Sequence, residues 1–332
     1  MTSATTGEKM SAIENTGGSR SFASRLQPLG MLPVLVLICV GFALATDRFL
    51  TFGNLSIVLQ QASVNTVLAA GMTFVILTGG IDLSVGAVVA LAAMVSLIVS
   101  SDPAIAVFSV PLGLLSGAIA GAINGTLVAR LGLPPFIVTL GALTAVRGVA
   151  RLIGGDQTIF NGDLPFAFIG SGTLLGIPYL VIIAFLVIVI SWFVLRRTVF
   201  GMHVYAVGGS PKAAHVSGLK VSWLLLSVYV ISGFLAALGG LMSAARLLAA
   251  NGSQMGQGYE LDAVAAAILG GISFAGGIGS IWGSLVGALI IAVLSNGLIL
   301  VGVSEIWQYI IKGLVIVIAV AIDKYRLSLS KS

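Results

Sequence analysis

Charged residues are scarce in this chain, and their placement limits what it can become. Only 8% of its 332 residues are Asp, Glu, Lys or Arg, and mean hydropathy is +1.13. Soluble domains carry about 25% charged residues. A charge at the centre of a bilayer costs several kcal/mol, so charges are retained where a chain leaves the membrane. Long apolar runs divided by short charged segments therefore imply an all-α, polytopic integral membrane protein. At roughly 20 residues per spanning helix, the chain holds about ten transmembrane helices and little else.

The runs set the order of elements. Residues 1–27 are rich in Ser, Thr and Gly and read as a disordered cytoplasmic tail, without the apolar segment of a cleavable signal peptide. Spans are expected near 29–45, which would act as an uncleaved anchor, 55–78, 82–100, 105–129, 136–153, 178–195, 223–245, 281–301 and 306–322. Between the seventh and the last two lies a short Gly-rich stretch, 263–275. It reads as a broken or partly re-entrant span, which is tolerated where its backbone is buried in protein. Residues 28–323 thus make the transmembrane domain, and 324–332 a basic cytoplasmic tail.

Charge also gives the orientation. With both termini in the cytoplasm, Arg130, the Arg196–Lys220 loop and the Lys324–Lys331 tail all fall inside, leaving Arg48, Arg151 and Arg246 near the outer surface. Shifting the count by one span scrambles this bias. The formal charge of +5 is then a topological signal. It implies the lipid bilayer as partner and no nucleic acid.

Glycine marks the expected helix contacts. Gly113, Gly117, Gly121 and Gly125 recur every four residues, as do Gly279, Gly283 and Gly287. Each set lines one helix face, where small residues let membrane helices approach closely. Leu77–Ile81 and Ile268–Ile272, each near a helix end, are a faint internal echo of the kind found in transporters built from repeated halves.

Catalytic apparatus is missing from the sequence. There is no Gly-x-x-x-x-Gly-Lys phosphate loop, and His203 and His215 are too far apart for a His-x-x-x-His zinc motif. Cys39 is the single cysteine, so neither a disulfide nor a paired-thiolate metal site is available. No enzyme activity, catalytic residue, metal or cofactor is expected.

The most distinctive segment is Gly201–Lys220. Ser210 is placed to cap a helix that Pro211 opens, with Ala213 and Ala214 within it and Gly218 to end it. Gly209, Ser210, Pro211, Lys212, Ala213, Ala214 and Gly218 thus form a short cytoplasmic helix between the sixth and seventh spans. It reads either as an ordinary basic loop or as a docking helix for a cytosolic partner.

This segment resembles the coupling loop of sugar ABC-importer permeases of the ribose, xylose and arabinose type. That loop reads Gly-x-x-x-Tyr-Ala-x-Gly-Gly-Asn, then Ala-Ala, then Ser-Gly-Ile. Here Ser210 replaces the usual Asn and Leu219 the usual Ile. The likeness extends to Gln60–Asn65, Gly71–Gly86, Gly258–Ala266, Leu269–Gly271 and Ser295–Leu298, and so to nearly everything from about residue 30 onward. The resemblance implies a monosaccharide import permease in the bacterial inner membrane. It implies a pair of permease subunits, identical or different, forming the path, with a cytosolic ABC ATPase docked on the coupling loops and a periplasmic sugar-binding protein docked outside.

Individual residues have two readings each. Asp82 follows Gly79-Gly80-Ile81 at a helix junction, where it either caps the third span or takes part in a gate. Gln61 and Asn65 either face the path or make interhelical hydrogen bonds. Arg151 and Arg246 either sit at the membrane interface or dock an acidic surface of the binding protein. Glu260 and Asp262 either pair with Arg246 or face that docked partner. The alternative to ATP-driven import is an ion-coupled secondary sugar transporter, which would need a membrane carboxylate for its coupling ion and would leave the docking helix without a purpose.

Overall fold

Apolar runs that must satisfy their own backbone in lipid become helices, and helices dominate the fold. The structure, a computed structural model, describes residues 31–329; the polar tail expected over residues 1–27 lies outside them. In chain order the helices are α1 Leu32–Ala45, α2 Phe52–Leu77, α3 Val85–Ser100, α4 Ser109–Ala129, α5 Pro135–Ile153, α6 Phe168–Ser171, α7 Tyr179–Arg197, α8 Val199–Gly209, α9 Pro211–Val216, α10 Val221–Leu247, α11 Tyr259–Leu269, α12 Ile281–Leu300 and α13 Glu305–Leu329. Local signals set several boundaries. Thr51 caps α2 by accepting the Asn54 N–H, and Pro135 opens α5.

Six stretches are long and apolar enough to cross a bilayer among the described residues: α2, α4 with the 3-10 turn before it, α5, α7, α10 and α12. By contrast α1, α3 and α11 have 14, 16 and 11 residues. At about 1.5 Å per residue each is shorter than a hydrocarbon core of about 30 Å. The eighth apolar stretch is indeed interrupted. Its helix α11 starts earlier than expected, at Tyr259, and stops at Leu269, followed by non-helical backbone through Ser280.

The core is built around α2, α3, α10 and α12, whose buried side chains are mostly Ala, Val, Leu and Met. Both glycine stripes lie at helix contacts. A side-chain carbon on Gly117 would strike the Gly233 carbonyl, and one on Gly121 the Tyr229 carbonyl, so α4 lies directly on α10. Gly283 and Gly287 similarly face the Gly270 and Ala266 carbonyls, joining α11 to α12. Polar clamps tie α2 to α12. Asn54 and Asn296 exchange two amide hydrogen bonds of 3.0 and 2.9 Å, and the Thr73 and Ser284 hydroxyls lie 2.8 Å apart.

The fold is not purely helical. Strand β1 (Thr158–Phe160) pairs antiparallel with β4 (Ala249–Asn251), in the register Thr158 to Asn251, and β2 (Thr173–Leu174) pairs with β3 (Ile177–Pro178). These ribbons arise because loop backbone groups need partners, and alternation over three residues is too short to signal a strand. The β1–β4 ribbon joins two polar loops over one end of the bundle. There Asn161 also donates to the Ser100 carbonyl at 3.2 Å. The other end carries α8 and α9, since α10 runs the full height between them. Helix α13 continues to Leu329, through the first residues of the segment read as a basic tail.

Candidate functional site

A cavity of about 280 Å³ opens near the β1–β4 end, between α2, α10, α11, α12 and α13. Gln61 and Asn65, one turn apart on α2, face it together. Both are half-buried and neither has a hydrogen-bond partner among the described residues. Ser243 and Arg246 from α10, Asp262 from α11, Ser295 from α12 and Lys312 from α13 complete its polar lining. A wall of amide, hydroxyl and charged groups in an otherwise apolar bundle suits a ligand that carries many hydroxyls.

The acidic residues at this end do not pair as the sequence suggests. Asp262 accepts a hydrogen bond from Lys312 at 3.0 Å rather than from Arg246. Glu260 points into the bundle, where its Oε2 is buried beside Gly86 and has no hydrogen-bond partner in the described structure. Arg147 ties down the Gly252–Met255 turn by donating to the Gly252 carbonyl at 3.3 Å and to that of Met255. Arg151 is exposed and forms a bidentate pair with Asp156, both contacts at 2.7 Å. That guanidinium, through its hydrogen bonds and its charge, holds the Asp156 carboxyl below the usual carboxylate range.

Asp82 lies apart from the cavity, 1% exposed at the elbow between α2 and α3. The helix cap itself is Ser84, two residues later than expected. Asp82 Oδ1 accepts from the Ser84 N–H at 3.1 Å and from the Ser84 hydroxyl at 2.6 Å, while Oδ2 accepts from Ser232 of α10 at 2.8 Å. Asn124 of α4 donates to Ser84 Oγ at 2.8 Å, and Tyr229 of α10 to the Ile81 carbonyl at 3.3 Å. Three donors reach the carboxylate itself, Asn124 and Tyr229 brace the backbone and side chain around it, and the start of α3 adds its positive dipole end. The elbow is therefore a fully bonded node between α3, α4 and α10.

At the opposite end the short helix forms as its residues require. Ser210 accepts the Ala213 N–H at 3.3 Å, Pro211 stands in the first turn, and Gly218 takes φ +83° just past the end of α9. Ala214 is buried, whereas Lys212, Ala213 and Gly218 are exposed. The preceding helix α8 is an addition to the sequence reading, which left those residues as loop. Thr198 caps it, and its end is inserted into the bundle. A side-chain carbon on Gly208 would strike the Leu77 carbonyl at the end of α2 and the backbone of Gly277. Gly277 donates to that same carbonyl at 2.9 Å, and Tyr205 donates to the Gly279 carbonyl at 3.0 Å. Thus the end of α8 sits on the place where both broken regions, Gly79-Gly80 and Gly276-Gly277, meet.

Comparison with known proteins identifies what this arrangement belongs to. Residues 54–320 match the family described as branched-chain amino acid transport system / permease component. The chain belongs to this permease family. The permease is 43% identical over 310 residues to the ribose import permease of Bacillus subtilis (strain 168), covering 92% of this chain and 95% of that one. It is 38% identical over 331 residues to the galactose/methyl galactoside import permease of Escherichia coli (strain K12), covering 94% and 98%. It is also 38% identical over 308 residues to the D-allose transport system permease of the same strain, covering 92% and 94%. No solved structure gives a match.

Sequence reasoning missed several residues of the cavity and of the elbow. Lys312 left a signal, a lone charge inside the last apolar run, but nothing in its spacing pointed to Asp262. Asn124, Ser232 and Tyr229 left none, because isolated Ser, Asn and Tyr in membrane helices are common hydrogen-bonding residues.

Proposed function

We propose that this chain is the membrane-spanning subunit of an ATP-driven importer for a monosaccharide, a pentose, hexose or related polyol. The observation that carries the reading is similarity along nearly the whole chain to permeases named for ribose, galactose and D-allose. The cavity with unpartnered Gln61 and Asn65 supports it. In this reading the chain crosses the inner membrane ten times, through α1 to α5, α7, α10, α11 with its extended continuation, α12 and α13. Both termini lie in the cytoplasm, as does α9, while the β1–β4 ribbon lies outside.

The remaining roles follow from that orientation. Gly209, Ser210, Pro211, Lys212, Ala213, Ala214 and Gly218 form the coupling loop on which a cytosolic ATPase subunit docks. Closure of the ATPases on ATP pushes α9, and α8 carries the push to the ends of α2 and α11. A second permease, identical or different, completes the path. Arg151 and Arg246 receive acidic groups of a periplasmic sugar-binding protein; Glu260, directed into the bundle, holds the rim of that face. Gln61 and Asn65 contact the sugar in transit, and Asp82 holds the gate elbow together.

An ion-coupled carrier suits Asp82 and Asp262 less well. Asp82 is saturated by three protein donors and Asp262 is taken by Lys312, so neither is available to a coupling ion in this conformation. The test is uptake of labelled ribose, galactose and allose into proteoliposomes containing the permease, its co-purified ATPase and the binding protein. ATP-dependent accumulation of one of these sugars is expected. Accumulation driven by an ion gradient without the ATPase would overturn the reading.

A further inference from the structure

Two cavities meet at one ion pair. The first is the 280 Å³ cavity described above; a second, of about 300 Å³, lies between the Gln257–Leu261 turn and the Gln308–Gly313 part of α13. Tyr259, Asp262 and Lys312 line both. The carboxylate and ammonium, 3.0 Å apart, therefore form part of the wall that divides the two spaces. Their side chains are only 12% and 23% exposed. Separating such a pair leaves two poorly solvated charges unless other donors and acceptors replace the lost contact.

A polyol supplies those replacements. Neighbouring hydroxyls donate to a carboxylate, and their oxygens accept from an ammonium. Gln61 and Asn65, which have no hydrogen-bond partner among the described residues, stand in the first cavity to hold the rest of the molecule. We infer that the Asp262–Lys312 pair is a gate between the two cavities, parted by a passing polyol whose hydroxyls take over both charges. The inference rests on the import reading and adds to it the residues that must separate. It makes the pair a moving contact, whereas a purely structural tie would remain closed throughout transport.

Cross-linking separates the two cases. Cys39→Ser removes the natural thiol, and Asp262→Cys with Lys312→Cys places two thiols that a short, reductant-cleavable bis-methanethiosulfonate can bridge. Uptake by the assembled importer should fall about tenfold or more on bridging and return on reduction, with the bridged peptides confirmed by mass. Undiminished uptake in the bridged protein would overturn the gate. Should the double variant be inactive when reduced, acylation of Lys312 in the unsubstituted importer gives the answer. Labelling by an amine reagent should rise several-fold during turnover with ATP and sugar, and no rise would overturn the gate. Failure of the unsubstituted importer to accumulate sugar would instead overturn the import reading, which keeps the two failures distinct.

Discussion

Gly208 lies so close to the end of α2 that a side-chain carbon there would overlap the Leu77 carbonyl oxygen, whereas the neighbouring Gly209 faces open space. Two adjacent glycines thus have opposite tolerances. Gly208→Ala must displace α8 from the bundle, an overpacking that costs about 1–3 kcal/mol. It is expected to lower the thermal unfolding midpoint of the isolated chain clearly, while Gly209→Ala stays near the unsubstituted value. Thermal denaturation of the two variants in one detergent checks this, and equal midpoints would sink the seating of α8.

The two alanines of α9 also differ. Ala213 is exposed and Ala214 is 5% exposed. If α9 docks the ATPase as proposed, Ala213→Glu should fold normally and leave ATP hydrolysis running without uptake, because only that exposed surface changes. Ala214→Glu buries a charge and should reduce the yield of monodisperse protein. Hydrolysis and uptake measured in the same proteoliposomes, with gel filtration of both variants, separate the outcomes.

Ser232 reaches across from α10 to Asp82 Oδ2. A hydrogen bond to a charged group contributes about 1.5–3 kcal/mol, so Ser232→Ala should lower the thermal unfolding midpoint clearly. Ser227, on the same helix, is half-buried and bonds only to the Trp223 carbonyl one turn back. Its change to Ala should move stability by no more than about 0.5 kcal/mol. Thermal denaturation in one detergent compares them directly.

Arg151 is occupied by Asp156, and any acidic partner must compete for it. Asp156→Asn should strengthen binding of the periplasmic protein at low salt and leave stability almost unchanged, since exposed ion pairs contribute little. Asp156 has a depressed pKa in the folded chain. The contact is therefore complete above the unfolded value of about 3.9 and is lost only as pH falls below it. Affinity measured between pH 5 and 8 should show no step from this pair.

The apolar runs and glycine spacing made the helices and their tightest contacts legible, because lipid leaves the backbone no alternative to helix. Gly117 and Gly121 could be assigned to a contact from their four-residue period alone. Helix α8 could not, since its His203 and three glycines match an exposed loop as well as a helix held by tertiary contact. Ser210 and Pro211 revealed α9 because a cap is local chemistry. The Asp262–Lys312 pair spans fifty positions, and no spacing rule connects residues brought together only by the packing of α11 on α13. Asp82 shows the same limit: its carboxylate was visible, but its serine donor on α10 was not.

Helix α3 carries a consequence for how the protein is made. Its 16 residues are mostly enclosed by other helices, and at about 1.5 Å per residue they are shorter than a hydrocarbon core of about 30 Å. Much of that enclosure comes from α10, synthesised only after α4, α5 and α7. Until then α3 has lipid or translocation machinery where its permanent neighbours will be. Its final position is therefore reached late, by a rearrangement of helices already in the membrane. With Cys39→Ser and Ser96→Cys placing the only thiol in α3, a chain truncated before Val221 should leave it open to a membrane-permeant thiol reagent, while the full-length chain seals it.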